Sequence, residues 1–558
     1  MSLLKIHIGG EFFSDIRKNN CCYIDKTDII SEFLNNFPPV ATLITRPRRF
    51  GKTLTMSMLQ EFFDIQKQSY ELFEGLNIYK NKELCSSWMN KYPTIFVSFK
   101  NIEGKNIDEA IVSLNQLAVQ LCSDFLYVLE SDKVAINNKI YIDRVLKYNS
   151  QPTEICYVLQ VISRALEAYW DKQVIILIDE YDVPINCAEQ NGYYNEMVGL
   201  MRNMLGSALK GNRSLKFSIL TGCLRIAKES IFTGLNNFKC YDISNKIFAD
   251  KFGFTDSEVK YLLKEAGLED REEIVKEWYN GYCFGENTKI FCPWDVLQYI
   301  YDVQINNNAI PQEYWANTSG NDIVCKLIND ADRDYRDKIE LLMSGGTIEE
   351  NIAYDMTYDS VYENKDNIWS MLYLTGYLTK AAKQPENDNV SLVIPNKEVL
   401  NIFIKIVSKW LRNVIKRYDL KTFVKKLWCG DSIYMQKFIA GMLYNTISYF
   451  DNNEKYYHGF ITGLIQSTGL ITKSNYEFGL GRPDIVIEDG AENRAIIIEV
   501  KCAKNFEDIE ELAQKALIQI DDRKYASGLD PHISHIIKYG IAFWKKECVV
   551  KICKEERL

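Results

Sequence analysis

The tripeptide Gly51-Lys52-Thr53 constrains this chain most, because it follows an apolar run at residues 40–44 and opens a helix-like run at residues 54–59. In phosphate-binding loops of this kind, backbone N–H groups and the helix N-terminus surround the phosphates. The lysine neutralises phosphate oxygens, and the hydroxyl residue ligates Mg²⁺. The pattern therefore predicts a nucleotide-binding loop with Gly51, Lys52 and Thr53 in those places.

The loop departs from the usual pattern at its beginning. Arg46 stands where the first glycine is expected, and Pro47 removes one backbone donor. Arg48 and Arg49 add two further guanidinium groups. These arginines either contact phosphate or a partner, or they form a solvated charged turn.

Strand-like runs alternate with helical patterns from about residue 20 to residue 245, at residues 40–44, 94–99, 174–178 and 215–220. Nearly continuous apolar runs in such an alternation are typical of central parallel strands in α/β domains. Asp179 and Glu180 follow the third run directly. A carboxylate there can hold the Mg²⁺ shell, and a following glutamate can polarise the attacking water.

The middle of the chain, residues 246–430, has mostly helical periodicity and predicts a helical lid and linker. Aromatic-rich turns lie at residues 278–282 and 314–319. They either stack nucleic-acid bases or pack in a core, and core packing is the favoured interpretation.

The order of elements changes over residues 431–558, where the pattern reads αβββαββ. Pro483-Asp484 precedes one strand, and Glu499-Val500-Lys501 ends the next. Since side chains two apart share a strand face, Glu499 and Lys501 point together, and a neighbouring strand can bring in Asp484. Two carboxylates suit Mg²⁺, and Lys501 would orient a water. The alternative is a solvent-facing edge strand with a Glu/Lys pair.

Composition narrows the class of protein. The 558 residues are enough for about two to four domains, and the net charge of −9 argues against a basic coat for bulk nucleic-acid binding. No run approaches the ~18 apolar residues of a membrane helix, and the first residues do not read as a signal peptide, so a cytoplasmic protein without membrane contact is expected. The cysteines and histidines form no zinc or disulfide pattern, so carboxylates are expected to hold any metal.

Together these motifs resemble the bacterial AAA-ATPase-like family whose members carry a C-terminal PD-(D/E)XK nuclease domain. The resemblance implies an α/β protein with an N-terminal P-loop NTPase domain at 1–245, a helical middle region at 246–430, and a restriction-endonuclease-like α/β domain at 431–558. The matching motifs span most of the chain, at residues 23–27, 46–53, 177–182, 221–230, 278–285, 314–319, 374–379, 474–484 and 499–501.

For the nucleotide site, the resemblance implies ATP and Mg²⁺ as cofactors. Thr53 and Asp179 would bind the metal, and Glu180 would act on the attacking water. Thr221 would sense the γ-phosphate, and Arg225 would stabilise charge in cis, or in trans within a homo-oligomer. Residues 23–27 either contact the adenine or only lead into the first helix. The implied cofactor-binding residues are Arg49, Phe50, Gly51, Lys52, Thr53, Thr221 and Arg225.

For the nuclease domain, the resemblance implies a core of Asp484, Glu499 and Lys501, with Asp484 and Glu499 as metal ligands. Gln519 matches an accessory catalytic position, and Glu454 matches an upstream acidic partner. The implied partner is nucleic acid, with DNA favoured over RNA.

Three functions stay open from the sequence. The first is an ATPase that gates or positions a Mg²⁺-dependent nuclease. The second is a nucleotide-switched binding or signalling module whose nuclease fold only holds nucleic acid or a protein. In the third, ATP binds without hydrolysis.

Overall fold

A computed structural model describes most of the chain, at residues 4–35, 39–148, 150–225, 238–286, 288–315, 333–354, 367–415, 419–446, 454–473 and 481–557. The chain divides into two compact units. The first contains Met1–Ser319 and Glu349–Val399, and the second contains Gly320–Ile348 and Leu400–Leu558. No helix in the described ranges is long and apolar enough to cross a bilayer.

The strands of the first unit and its boundary are β1 Ala41–Thr45, β2 Thr94–Ser98, β3 Val174–Asp179, β4 Leu215–Gly222, β5 Phe238–Tyr241, β6 Phe254–Thr255, β7 Tyr282–Phe284, β8 Thr288–Phe291, β9 Ile348–Glu350, β10 Thr379–Lys380 and β11 Val390–Val393. The strands of the second unit are β12 Thr472–Lys473, β13 Ile485–Asp489, β14 Arg494–Cys502, β15 His535–Trp544 and β16 Glu547–Glu556.

The helices before residue 320 are α1 Phe13–Lys18, α2 Asp28–Asn35, α3 Lys52–Phe63, α4 Tyr70–Phe73, α5 Asn77–Lys80, α6 Lys82–Trp88, α7 Ile107–Asp124, α8 Ile136–Leu146, α9 Pro152–Ile155, α10 Val158–Trp170, α11 Val183–Asn191, α12 Tyr194–Leu209, α13 Asp256–Ala266, α14 Glu272–Tyr279 and α15 Pro293–Ile305. The later helices are α16 Arg333–Met343, α17 Asn367–Thr375, α18 Lys397–Ile415, α19 Leu420–Cys429, α20 Ser432–Thr446, α21 Glu454–Ser467 and α22 Ile509–Asp522.

A five-stranded parallel sheet forms the centre of the first unit, in the order β2-β3-β4-β1-β5. Every residue of β1 and β3 is buried, as expected for strands covered by helices on both faces. This confirms the predicted α/β architecture. The sequence did not predict β5, whose short, half-exposed stretch lacks the apolar run of the other four strands.

Strand order decides which loops meet. Because β4 lies between β1 and β3, the carboxyl ends of these three strands are neighbours on one edge of the sheet. That edge is where ligands bind in open α/β sheets. Thr45, Asp179 and Gly222 end the three strands there.

The middle of the chain is mostly helical, as predicted, and it also contains small sheets. One is antiparallel in the order β6-β8-β7, and in another β10 pairs with β11. Tyr279 packs in a core with residues of α13 and α15, and Tyr282 and Trp315 are almost fully buried. Core packing of the aromatic turns is therefore correct for these residues, whereas residues 316–319 lie outside the described ranges.

The second unit contains a mixed five-stranded sheet in the order β12-β13-β14-β15-β16. β14 and β15 are parallel and are connected through α22, while the other neighbours are antiparallel. Ile498 and Val500 face a core shared with α19, α20 and α21, whereas Ala495 and Ile497 face α22. The predicted αβββαββ order is confirmed.

Candidate nucleotide and nuclease sites

The predicted phosphate loop joins β1 to α3 through two left-handed backbone positions. Gly51 has φ of +86° and caps α3, a conformation that costs residues with a Cβ atom more than glycine. Arg49 has φ of +69°. The chain therefore turns sharply just before α3 begins at Lys52.

The Lys52 ammonium is held inside the loop. Its Nζ donates to the carbonyl oxygens of Arg46 and Pro47, both at 2.9 Å, and lies 3.7 Å from the Cys223 sulfur. Pro47 lacks an N–H, but the loop uses its carbonyl here. The proline is therefore compatible with a loop that wraps the lysine.

Arg46 supports the loop from within the protein. Its side chain is fully buried, and its guanidinium donates to the carbonyls of Thr45, Tyr241 and Phe248 at 2.8–3.1 Å. Burial lowers the pKa of Arg46 to about 10, so it stays charged at neutral pH. Arg46 is thus neither a solvated turn residue nor placed for phosphate, which departs from both interpretations of the sequence.

The next loop residues divide between surface and core. Arg48 and Arg49 are exposed, and the Arg49 guanidinium lies 4.4 Å from the Trp294 ring centre. Phe50 is 1% exposed and packs against Tyr282 and Phe284. The Phe50 side chain is therefore not available to a nucleotide.

Asp179 joins the predicted metal ligand of α3 to the predicted sensor residue. Its Oδ2 accepts a hydrogen bond of 2.7 Å from the Thr53 hydroxyl, and its Oδ1 accepts one from the Thr221 hydroxyl. Because β4 lies between β1 and β3, these three side chains converge at one sheet edge. Two hydroxyls and a carboxylate are all-oxygen ligands of the kind that Mg²⁺ prefers.

Glu180 occupies a strained position beside this group. Its φ is +53°, which is uncommon for a residue other than glycine, and such positions cluster at functional sites. Burial, and then the charge of Asp179, raise the pKa of Glu180. The positive charges of Lys52 and Lys100 oppose that rise.

Residues 23–27 lead into α2 and are used in structural contacts. Asp25 accepts hydrogen bonds from the Thr27 backbone and hydroxyl and from the Asn77 backbone. Lys26 forms an ion pair of 2.7 Å with Glu258. These contacts favour a role at the start of the first long helix over an adenine contact.

In the second unit, Asp484 lies immediately before β13, opposite Glu499 of β14. The last ladder pair joins Ile485 to Ile498, and one further step brings Asp484 across from Glu499. The Asp484 carboxylate accepts a hydrogen bond of 2.7 Å from the Val500 N–H. This bond fixes the carboxylate where the β-ladder ends.

Glu499 faces α22 and is 3% exposed. Its Oε1 contacts the Lys501 ammonium at 3.3 Å and also accepts from the Gln519 amide, whereas its Oε2 has no partner among the described residues. Burial, and then Asp484, raise the pKa of Glu499 to about 7. A buried, unpartnered carboxylate oxygen is costly, and a bound cation would satisfy it.

The position of Glu499 decides against the edge-strand interpretation. β14 lies third in the sheet, between β13 and β15, so it is not an edge strand. No three histidine, cysteine or acidic side chains in the described ranges come together as a ready metal site. A cation at Asp484 and Glu499 would therefore need water or main-chain oxygens as further ligands.

Two family models match the chain. One, described as a predicted AAA-ATPase, matches residues 7–232, and a model of the PD-(D/E)XK nuclease superfamily matches residues 452–553. The chain carries an AAA-ATPase-like domain followed by a PD-(D/E)XK nuclease domain. Domains of these kinds generally use ATP and divalent metal ions.

One curated relative is the "Uncharacterized protein in vnfD 5'region" of Azotobacter chroococcum mcd 1. It is 26% identical over 310 residues, which cover 53% of this chain and 52% of the relative. The chain thus spans about half the length of the curated relative that it matches.

Sequence reasoning missed a clamp in the AAA-ATPase-like domain, which the side chains of Tyr181 and Asp182 form on the backbone of residues 223–224. The buried Asp182 carboxylate accepts from the N–H groups of Cys223 and Leu224, and the Tyr181 hydroxyl donates to the Leu224 carbonyl at 2.6 Å. A Cβ on Gly222 would lie 2.6 Å from the Tyr181 ring, so only glycine fits there. Three of the four residues at 179–182 are acidic, and this pattern could have indicated a role for Asp182. Arg225 follows this clamp, and residues 226–230 of its motif lie outside the described ranges.

Two residues of the nuclease domain were also missed. His458 Nε2 lies 3.0 Å from the Asp484 carbonyl oxygen, and Gly540 is paired with Glu499 in the β14–β15 ladder. The signal for His458 was its spacing of one helical turn from Glu454. Glu454 is the first residue of α21, and its side chain lies outside the described part, as do residues 474–480.

Proposed function

We propose that this protein is an ATP-dependent nuclease. The first unit binds and hydrolyses ATP with Mg²⁺, and the second cleaves phosphodiester bonds of nucleic acid, with DNA as the polymer. The observation that carries the proposal is Glu499: a buried carboxylate with an unpartnered oxygen, beside Asp484, Lys501 and Gln519.

In the nucleotide site, Thr53 and Asp179 would hold Mg²⁺, which would neutralise charge on the phosphates. Lys52 and the loop N–H groups, including those of Arg49, Phe50 and Gly51, bind phosphate oxygens. Thr221 reports the presence of the γ-phosphate through its hydrogen bond to Asp179, and Glu180 orients the attacking water. Arg225 stabilises the developing charge.

In the nuclease site, Asp484 and Glu499 would hold a divalent cation, which would lower the pKa of a bound water and stabilise the charged transition state. Lys501 orients the attacking water. Gln519 and His458 act on the ligands: Gln519 holds one oxygen of Glu499, and His458 contacts the main chain of Asp484.

Two substitutions in the full-length protein test the assignment. Asp484→Ala is expected to lower DNA cleavage by at least about 100-fold and to leave ATP turnover unchanged. Lys52→Ala is expected to abolish ATP turnover and, with it, the change in cleavage rate that ATP causes in the unaltered protein. Cleavage by Asp484→Ala at the rate of the unaltered protein would contradict the nuclease assignment.

A second candidate is a nucleotide-switched module that holds nucleic acid without cutting it. The observation that favours it is that the Lys501 ammonium is paired with Glu499, as in a purely structural ion pair. This candidate predicts DNA binding that responds to ATP, no cleavage with any divalent cation, and no effect of Glu499→Gln on binding.

ATP hydrolysis is tested separately from ATP binding. Glu180→Gln is expected to bind ATP with unchanged affinity and to hydrolyse it at least about 100-fold more slowly. Equal turnover in this variant and the unaltered protein would contradict the role of Glu180. An unaltered protein that binds ATP but does not turn it over would show that ATP acts only as a ligand.

A further inference from the structure

Three residues from the middle of the chain contact successive carbonyl oxygens on one side of the phosphate loop. We call this side the outer side of the loop. Trp315 Nε1 donates to the Arg48 carbonyl at 3.3 Å, Cys292 Sγ lies 3.8 Å from the Arg49 carbonyl, and the Gly253 N–H donates to the Phe50 carbonyl at 3.2 Å. All of these residues belong to the first unit.

These contacts determine where the loop N–H groups point. The C=O and N–H of one planar trans peptide point in opposite directions. With the carbonyls of residues 48–50 turned outward, the N–H groups of Arg49, Phe50 and Gly51 turn to the opposite side of the loop. The carbonyls of Arg46 and Pro47 instead turn toward Lys52. The loop therefore presents donors to an anion although its first glycine is an arginine.

Two buried carboxyl groups, those of Glu398 and Asp295, are connected to the residues that contact the loop. Glu398 Oε1 accepts a hydrogen bond of 2.7 Å from the backbone N–H of Trp315, the residue whose indole holds the Arg48 carbonyl. Asp295 follows Trp294, the ring on which Arg49 lies. Glu398 and Asp295 are both 0% exposed.

A proton shared by the two carboxyl groups would supply a partner for oxygens that otherwise lack one. Both oxygens of Asp295 and Oε2 of Glu398 have no hydrogen-bond partner among the described residues. A proton on Glu398 lets it donate to Asp295, and burial followed by the Asp295 charge raises the pKa of Glu398 in that direction. Protonated Glu398 can then donate to Asp295 with one oxygen and accept from Trp315 with the other.

We propose that Trp315 and Glu398 are positioning residues of the nucleotide site, which hold the Arg48 carbonyl outward so that the loop N–H groups face the phosphates. The inference rests on the proposed ATP binding, and it assigns the middle of the chain a direct role in nucleotide affinity.

The test compares ATP affinity and steady-state turnover in the full-length protein. Trp315→Phe keeps the ring and removes only the indole N–H, so the dissociation constant for Mg-ATP is expected to rise about 5-fold to 10-fold, as for the loss of one hydrogen bond. KM is expected to rise with it and kcat to stay within about 2-fold. Trp278→Phe, in the same region but without a loop contact, is the matched control and is expected to leave both unchanged.

A second pair of variants separates positioning from folding. Glu398→Gln retains an acceptor for the Trp315 N–H and a donor for Asp295, so its ATP affinity is expected to match that of the unaltered protein. Glu398→Leu removes both and is expected to weaken ATP binding at least as much as Trp315→Phe.

Unchanged ATP affinity in Trp315→Phe, or equal affinity in Glu398→Leu and Glu398→Gln, would overturn the inference while leaving the proposed function intact. An unaltered protein that fails to bind ATP would overturn the proposed function, and the inference with it.

Discussion

At the residue scale, the phosphate loop shows how an arginine can replace a glycine. Arg46 is buried and bonded to three carbonyls, two of them, Tyr241 and Phe248, from residues far along the chain. Its guanidinium also lies over the rings of Phe252 and Phe284. The side chain thus joins the loop to the middle of the chain and leaves the inner side of the loop to Lys52.

Replacing Arg46 should therefore affect stability. Arg46→Met leaves the buried Tyr241 and Phe248 carbonyls without their donors, and the free energy of unfolding is expected to fall by about 2–4 kcal/mol. The exposed Arg164 provides the matched control in the same unit, since Arg164→Met is expected to change the free energy of unfolding by less than about 0.5 kcal/mol. ATP binding is expected to shift the unfolding transition of the first unit. The urea midpoint of that transition measures the effect of both substitutions. Equal midpoints for the two variants would show that Arg46 is not a structural residue.

How far the residues of the site could be predicted depends on where their partners lie. Lys52, Thr53, Asp179 and Glu180 sit next to a strand end, so local sequence places them. The role of Arg46 was not predictable, because its burial is created by residues 241–284. His458 was missed for a similar reason, since its partner Asp484 lies on a different element.

At the element scale, the packing of α22 on the second sheet brings Gln519 to Glu499. A Cβ on Gly540 would lie 2.3 Å from the Ala513 carbonyl and 2.6 Å from the Leu517 nitrogen, both backbone atoms of α22. The helix can therefore approach β15 only because residue 540 is glycine. The sequence predicted the helix and the strand, but the separation between them is a tertiary property that periodicity does not report.

Gly540→Ala is expected to push α22 away from β15 and to separate Gln519 from Glu499. We expect the second unit to lose about 1–3 kcal/mol of stability, since backbone atoms must move, and cleavage to fall with the displaced glutamine. Gly463→Ala in α21 is the control, because nothing lies within 4 Å of its added Cβ, and a helix interior favours alanine by about 1 kcal/mol. The second unit is expected to unfold in the transition that ATP does not shift. The melting temperature of that transition compares the two variants. An unchanged melting temperature in Gly540→Ala would contradict this packing.

At the scale of the whole molecule, each compact unit carries one candidate site. The nucleotide residues and the buried pair of Asp295 and Glu398 belong to the first unit, and the nuclease residues belong to the second. Much of the predicted lid and linker, residues 246–319 and 349–399, clusters with the first unit, and the predicted domain boundaries at 245 and 430 stay predictions.

The buried carboxyl pair makes the stability of the first unit depend on pH. Burial and mutual repulsion raise the pKa of Glu398, and burial raises that of Asp295. Groups whose pKa is raised by folding stabilise the protein below their unfolded pKa, so this contribution is lost as pH rises above the ordinary carboxyl range near 4. The ionisable groups that interact electrostatically with the pair are Arg49, Tyr279, Tyr282, Cys292, Glu313 and Tyr314.

Glu398→Gln removes one of these titrations without removing its hydrogen bonds. The melting temperature of the ATP-shifted transition is expected to fall between pH 6 and pH 9 in the unaltered protein, and to fall less steeply in Glu398→Gln. Glu349→Gln replaces an exposed glutamate of the same unit and controls for the general effect of removing one negative charge. Parallel pH profiles for all three proteins would contradict the shared proton.

The proposed function joins an ATP site and a metal-dependent nuclease site in one chain. The most direct measurement is cleavage of duplex DNA by the full-length protein with and without ATP and with and without Mg²⁺. We predict cleavage only with Mg²⁺, a change in its rate when ATP is added, and loss of cleavage in Glu499→Gln under every condition. Cleavage that persists in Glu499→Gln, or a rate that ATP does not alter, would contradict the account.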